Sequence, residues 1–330
     1  MAVAALVLPV CGTGAPAHGA SAHGASAAGP GAAYVSLLFS RSEVTAMDGV
    51  PCTVDNTNIV RTDAVIAPYL AHLGIRATGS LETAATQKTG YWCAHYGESA
   101  ALSWTEARLL SRLYGWSFVS HSATYPKTPA AWASMDPAQL YAETCGSANA
   151  IAAHGLKGSS GMFVWPGSNV VTVALPLVEQ CFDVSRVYRG IGVNKQTDVV
   201  APPYKVSTLG LWGGKCNDPG LPCSTMSSAV PYMLPSTVIG RLDALQPADW
   251  FSLQAFVLVT GKNPAYTTNL DRWDCTSANP ADHWTNDAER YCYNDFQTIM
   301  AAIHEKITSG KVISSDPATI ATALGRHVNP

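Results

Sequence analysis

Beyond residue 33 the chain alternates short apolar runs with longer stripes of helical period. Residues 34–39 (YVSLLF), 75–81, 116–120 (WSFVS) and 161–165 (GMFVW) read as strands. Further strands are expected over 187–193, 206–212, 253–260 and 311–314. Between them lie helical patterns over 58–73, 104–114, 136–154, 170–182, 293–309 and 315–325. Several ends carry explicit signals. Ser103 precedes the 104–114 stripe with Glu106 three residues on, a capping-box spacing, and Gly115 follows its last residue. Asp136-Pro137 opens the next helix, and Gly74 and Gly310 stop two others.

Eight strands, most followed by a helix, predict parallel strands joined by crossover helices. The expected fold class is α/β, a (β/α) barrel, possibly irregular, with seven or eight strands. A doubly wound open sheet is the alternative. Residues 39–42 (FSRS) lack either glycine-rich phosphate signature after the first strand, so nucleotide binding is unsupported. No linker interrupts residues 33–330, which read as one domain.

Residues 1–10 (MAVAALVLPV) are apolar but too short to span a bilayer, and an Ala/Gly/Ser-rich stretch follows to residue 32. This pattern reads as a signal peptide and leader, so a secreted protein is expected. Cys11 invites a lipoprotein reading, but Val10 is larger than the small residue such cleavage requires. Only 13% of the 330 residues are charged, and the net charge is −3. With no basic run, nucleic acid is excluded as a partner. No later stretch is apolar and long enough for a membrane helix, and a monomer is expected.

Leaving Cys11 aside, eight of the 9 cysteines remain, an even number that suits disulfides in an exported chain. No C-x-x-C pair points to structural zinc. Sequential pairing is the simplest expectation: Cys52–Cys93, Cys145–Cys181, Cys216–Cys223 and Cys275–Cys292. The turn residues Asn217-Asp218-Pro219-Gly220 favour the third of these. Sequence alone leaves the other connectivities open.

In a barrel, chemistry gathers where strands end. The third strand delivers His121-Ser122-Ala123-Thr124-Tyr125-Pro126. This segment resembles the His-Ser/Thr-x-x-His-Pro motif of the polysaccharide deacetylases, the family 4 carbohydrate esterases. Leu38-Phe39-Ser40-Arg41-Ser42 lies where the family has Thr-Phe-Asp-Asp-Gly. Phe163-Val164-Trp165-Pro166-Gly167 and Ala201-Pro202-Pro203-Tyr204 are loose matches to Phe-Arg-x-Pro-Tyr-Gly. The resemblance runs over about residues 33–325 and implies the family's barrel, a polysaccharide partner and hydrolysis of acetyl groups. It also implies a divalent metal, often zinc, held by one Asp and two His. Of that set only His121 stands. Ser40 and Arg41 occupy the Asp positions, and Tyr125 occupies the second His position.

Two functions therefore compete. One is an exported hydrolase acting on the amide or ester bonds of an acetylated polysaccharide, with His121 assisted by Asp48 or Glu43. The other is an inactive relative, a pseudoenzyme, that binds a glycan through Tyr125, Trp165, Trp212 and Arg41, since sugar faces stack on aromatic rings. A glycosidase would need two carboxylates facing one sugar, for which Glu43 and Glu82 are the candidates.

Overall fold

The structure is a computed structural model. It describes residues 31–39, 60, 62–86, 102–187, 192–202, 204–211, 213, 232–263, 273–280, 283–285 and 290–326. The expectations for residues 1–30, for Ser40, Arg41, Glu43, Asp48 and Trp212, and for Cys52, Cys93, Cys216 and Cys223 lie outside the described residues.

The barrel wall begins with β1 (Ala33–Phe39), β2 (Ala77–Leu81), β3 (Ser117–Ser120), β4 (Met162–Val164) and β5 (Val184–Val187). These pair in parallel in that order. β6 (Val193–Asn194), β7 (Lys205–Ser207), β8 (Leu209–Gly210) and β9 (Trp250–Ala255) complete it. β7 pairs with β5, the adjoining β8 pairs with β9, and β9 pairs along the length of β1. The run 205–210 thus crosses from one edge of the sheet to the other and closes a ring of seven parallel stations: β1 to β5, β7/β8 and β9. Two short strands lie beside the ring. β6 runs antiparallel to β9, and the short strand Val312–Ser314 pairs with the start of β1.

The expected strand over 187–193 is corrected. β5 lies earlier, at Val184–Val187, and β6 is a separate short strand. Both ends of the expected run are strand, but they belong to different neighbours.

Alternation along the strands separates two faces. Val35, Leu37 and Phe39 of β1 pack with Phe118, Phe251 and Leu253 against the helices outside the ring. Those helices include Trp104–Tyr114 and Tyr293–Thr308. The first has both halves of its capping box made and ends at Gly115 in the left-handed region, as its sequence predicts. The inward face carries Tyr34, Leu38, Val119, Met162, Val184 and Trp250. Ile320 and Leu324 of the closing helix Pro317–Ala323 and its cap join this cluster. A third cluster lies outside β4 and β5 and gathers Trp132, Phe163, Trp165 and Phe182.

Two disulfides are formed among the described residues, both in the expected pairing. Cys145–Cys181 ties the segment Ala142–Gly146 to the helix Leu175–Cys181. Cys275–Cys292 lies beyond the barrel, next to the parallel pair of short strands Val257–Val259 and Arg290–Cys292. No helix among the described residues is long and apolar enough to cross a membrane.

Candidate active site at the barrel mouth

The inner face changes character toward the strand ends. Low in the barrel it mixes apolar side chains with small hydroxyls, Thr78 against Ser117 and Ser36 against Trp250, and carries no charge among the described residues. At the C-terminal mouth the same alternation brings Ser80, Glu82, His121, Arg186 and Gln254 inward, all buried. Register links them. Leu81 pairs with Ser120, and Ser120 pairs with Phe163. The ladder continues one residue further, because the His121 amide donates to the Leu81 carbonyl at 2.8 Å. Glu82 and His121 therefore stand side by side on neighbouring strands. Val164 pairs with Arg186, which puts the guanidinium in the same row two strands away. Burying a carboxyl, an imidazole and a guanidinium in one layer is costly in a wall whose other inward residues are uncharged. Such layers mark functional mouths in barrels.

His121 is 3% exposed. Its Nδ1 lies 2.8 Å from the Val164 carbonyl, an acceptor, so Nδ1 carries the hydrogen. In the neutral ring this leaves the basic lone pair on Nε2. The Tyr125 ring meets the imidazole edge-on, with centroids 4.8 Å apart. Gln254 Oε1 is buried without a hydrogen-bond partner, an open acceptor at the same mouth.

The loop after β3 holds this arrangement. Ser122 and Tyr125 both take left-handed φ values, 69° and 60°, which non-glycine residues rarely adopt. Glu143 stabilises the turn from the neighbouring helical segment. One carboxylate oxygen accepts the Ala123 and Thr124 amides, each at 2.9 Å. The other accepts the Thr124 hydroxyl at 2.5 Å. Ser122 Oγ accepts the Tyr125 amide at 3.0 Å. The Gly167 amide donates to the Tyr125 hydroxyl at 3.3 Å, and Lys127 lies over the Tyr125 ring.

The metal set implied by the resemblance does not fit the residues described at the mouth. Tyr125 stands in place of the second imidazole, and its hydroxyl is engaged by Gly167. One imidazole and the neighbouring Glu82 carboxylate, with a phenol in the second imidazole's place, fall short of the three-ligand set of a catalytic zinc. Among the described residues, the one group of three potential metal ligands lies elsewhere.

Trp165 is corrected. It was expected to face a sugar, but it is 1% exposed. As the residue after Val164 it points to the outer side, where its ring packs edge-on to Phe163 at 5.0 Å and to Trp132 at 6.0 Å. The sequence offers Glu82 at the end of the second strand, but not Arg186, Gln254 or Glu143. Gln254 is a long polar residue inside an expected strand, whereas Arg186 falls before the strand expected over 187–193 and is found only through the observed β5. A cavity of about 410 Å³ lies beside the mouth rather than in it, lined by residues including Val187, Asn194, Lys205 and Ser207. Val187 belongs to the cluster outside the wall, so this cavity is separate from the inward polar layer.

No family model and no curated protein sequence matches the chain. Among solved structures it is similar to a family 4 carbohydrate esterase from Streptomyces lividans in complex with acetate. That match has 12% identity and a TM-score of 0.41, over 90% of this chain and 97% of that one. A T48 deacetylase with substrate matches at 10% identity and a TM-score of 0.42, over 89% and 94% of the two chains. The Streptococcus pyogenes deacetylase PplD in complex with acetate matches at 14% identity and a TM-score of 0.38, over 52% and 62%. The barrel itself is established by the chain's own strand pairings.

Proposed function

We propose that the barrel mouth receives an acetylated polysaccharide and hydrolyses its acetyl groups, with His121 as the proton-transferring group. The observation that carries this reading is the buried row in which Glu82 and His121 stand adjacent and Arg186 shares their level. The Nε2 lone pair of His121 takes a proton from water as its oxygen bonds to the acetyl carbon. Arg186 offsets the negative charge that develops on the carbonyl oxygen. The bond to the sugar nitrogen or oxygen then breaks, and His121 returns the proton to the leaving atom. Glu82 stabilises the transient imidazolium. Acetate and a deacetylated sugar result. Two disulfides support a secreted protein, working in an oxidising compartment. We assign it as a monomer.

The test is acetate release from acetylated chitooligosaccharides and acetylated xylan. His121→Ala is expected to lower the rate by about 10²–10⁴-fold, the usual contribution of a general base. An unchanged rate overturns the assignment.

One observation favours a second reading. Tyr125 replaces an imidazole and turns its ring toward His121, as an aromatic sugar contact would. A chain that binds these glycans without releasing acetate, and loses affinity on Tyr125→Ala, is an inactive glycan-binding relative.

A further inference from the structure

Residues 275–295 hold a group of three potential metal ligands that shares no residue with the polar layer of the mouth. Cys275 and Cys292 form a disulfide. His283 Nδ1 lies 2.6 Å from Asp295 Oδ2. The ligand atoms of His283, Cys292 and Asp295 all lie within 4.8 Å of one another, and all three residues are buried. Cys275 is bonded to Cys292 and lies outside that group of three, so reduction would have to release its sulfur before it could serve as a fourth ligand.

The surroundings match those of a metal centre. A ligating histidine usually donates its other ring N–H to a carbonyl or carboxylate, and ligating carboxylates are themselves hydrogen-bonded. His283 Nε2 already lies 2.8 Å from the Ser277 carbonyl, which aims Nδ1 at Asp295. The Tyr232 hydroxyl donates to Asp295 Oδ2. Tyr232 stacks on Tyr291 with centroids 5.1 Å apart, and Tyr291 donates to the Met233 carbonyl at 2.6 Å. Val257 and Val259 supply an apolar side.

We propose that this disulfide and a tetrahedral zinc site are alternative states of the same four residues. A dithiol reductant cleaves the Cys275–Cys292 bond, gives up two electrons and becomes its own disulfide. Both cysteine thiols lose their protons to solvent as Zn²⁺ binds, and His283 ligates through Nδ1 as the neutral ring. Thiolate and imidazole ligands select zinc over calcium or magnesium. Bond lengths of about 2.0–2.3 Å to zinc place tetrahedral ligand atoms roughly 3.3–3.8 Å apart. The 2.6 Å His283–Asp295 contact therefore opens by about 0.7 Å, a side-chain adjustment.

The experiment uses the full chain, reduced anaerobically with a dithiol, freed of reagent and titrated with Co²⁺ and then Zn²⁺. We expect one equivalent of Co²⁺ bound with a thiolate-to-cobalt charge-transfer band, displaced by one equivalent of Zn²⁺. The band is absent from the oxidised chain and from the Cys275→Ser/Cys292→Ser variant. It persists in Cys145→Ser/Cys181→Ser. His283→Ala and Asp295→Asn weaken binding at least tenfold. Near-ultraviolet circular dichroism follows the fold throughout. No thiolate band on the reduced chain overturns the proposal. So does a band that survives Cys275→Ser/Cys292→Ser, and so does a reduced chain that unfolds and does not recover with zinc. Acetate release plays no part in these readouts.

Discussion

Asn194 reaches across the seam of the barrel, and its carboxamide donates to the Trp250 carbonyl at 3.1 Å. The same nitrogen donates to the Ser207 carbonyl at 3.0 Å and lies 3.2 Å from that of Gly192. The oxygen accepts the Ser207 amide at 2.7 Å and its hydroxyl at 3.1 Å. β8 pairs with β9 only through Leu209 and Gly210. Lower down, the Thr208 and Ser252 hydroxyls meet at 2.9 Å and Asn194 supplies further hydrogen bonds in place of a strand ladder.

Removing that side chain strands buried backbone groups on both sides of the seam. Each buried group left without a partner costs about 1–3 kcal/mol. Asn194→Ala is therefore expected to lose about 3 kcal/mol in urea denaturation, with the slope unchanged. Asn194→Asp, which turns the donating nitrogen into an acceptor facing three carbonyls, should lose more. A loss below about 1 kcal/mol for Asn194→Ala would show that the seam closes without it.

The Glu143 carboxylate should matter more to the mouth than to the fold as a whole. Glu143→Gln keeps one acceptor oxygen but places an NH₂ against the Thr124 hydroxyl or against the two amides. We expect about 1–2 kcal/mol of lost stability. Glycan turnover or affinity should fall further than that loss accounts for, because the strained loop carries His121 and Tyr125. Wild-type kinetics and binding in Glu143→Gln would separate the clamp from the site.

Trp165 should behave as core. Trp165→Ala is expected to cost about 3–5 kcal/mol. Its cluster also holds the buried Trp132 and Phe163, whose packing it completes. At a temperature where the variant is still folded, its glycan affinity should match wild type. A selective loss of affinity without loss of stability would return it to the ligand site.

Alkaline pH should weaken the fold through Tyr232 and Tyr291. Burial first pushes both phenols above their ordinary range; Asp295 adds to this for Tyr291, and Tyr291 and then Asp295 add to it for Tyr232. Below about pH 10 the two phenols are protonated in folded and unfolded chains alike and contribute no pH dependence. Above it the unfolded chain ionises them while the folded chain holds its protons, so stability falls as pH rises. Denaturation midpoints measured between pH 8 and 11 should decline above about pH 10, and less so in Tyr232→Phe. Phenolate absorbance from these two residues should appear only with unfolding.

Much of this protein was legible along the chain. The alternation of apolar runs and helical stripes pointed to parallel strands covered on both faces, because that burial requires this rhythm, and left a barrel and an open sheet both possible. Ser103, Glu106 and Gly115 specified the ends of a helix, because capping is local chemistry. The disulfides Cys145–Cys181 and Cys275–Cys292 followed from pairing neighbours. His121 stood out by its position after a strand. The rest depended on registers between strands far apart in sequence. Only pairing sets Glu82 beside His121 and Arg186 in their row, and only the handing-over of 205–210 from β5 to β9 makes a ring of seven. Inward and outward sides of a strand differ by one residue, so a tryptophan at a strand tip is a sugar platform or a core residue according to a parity that three-dimensional packing decides. For Trp165 it decided core.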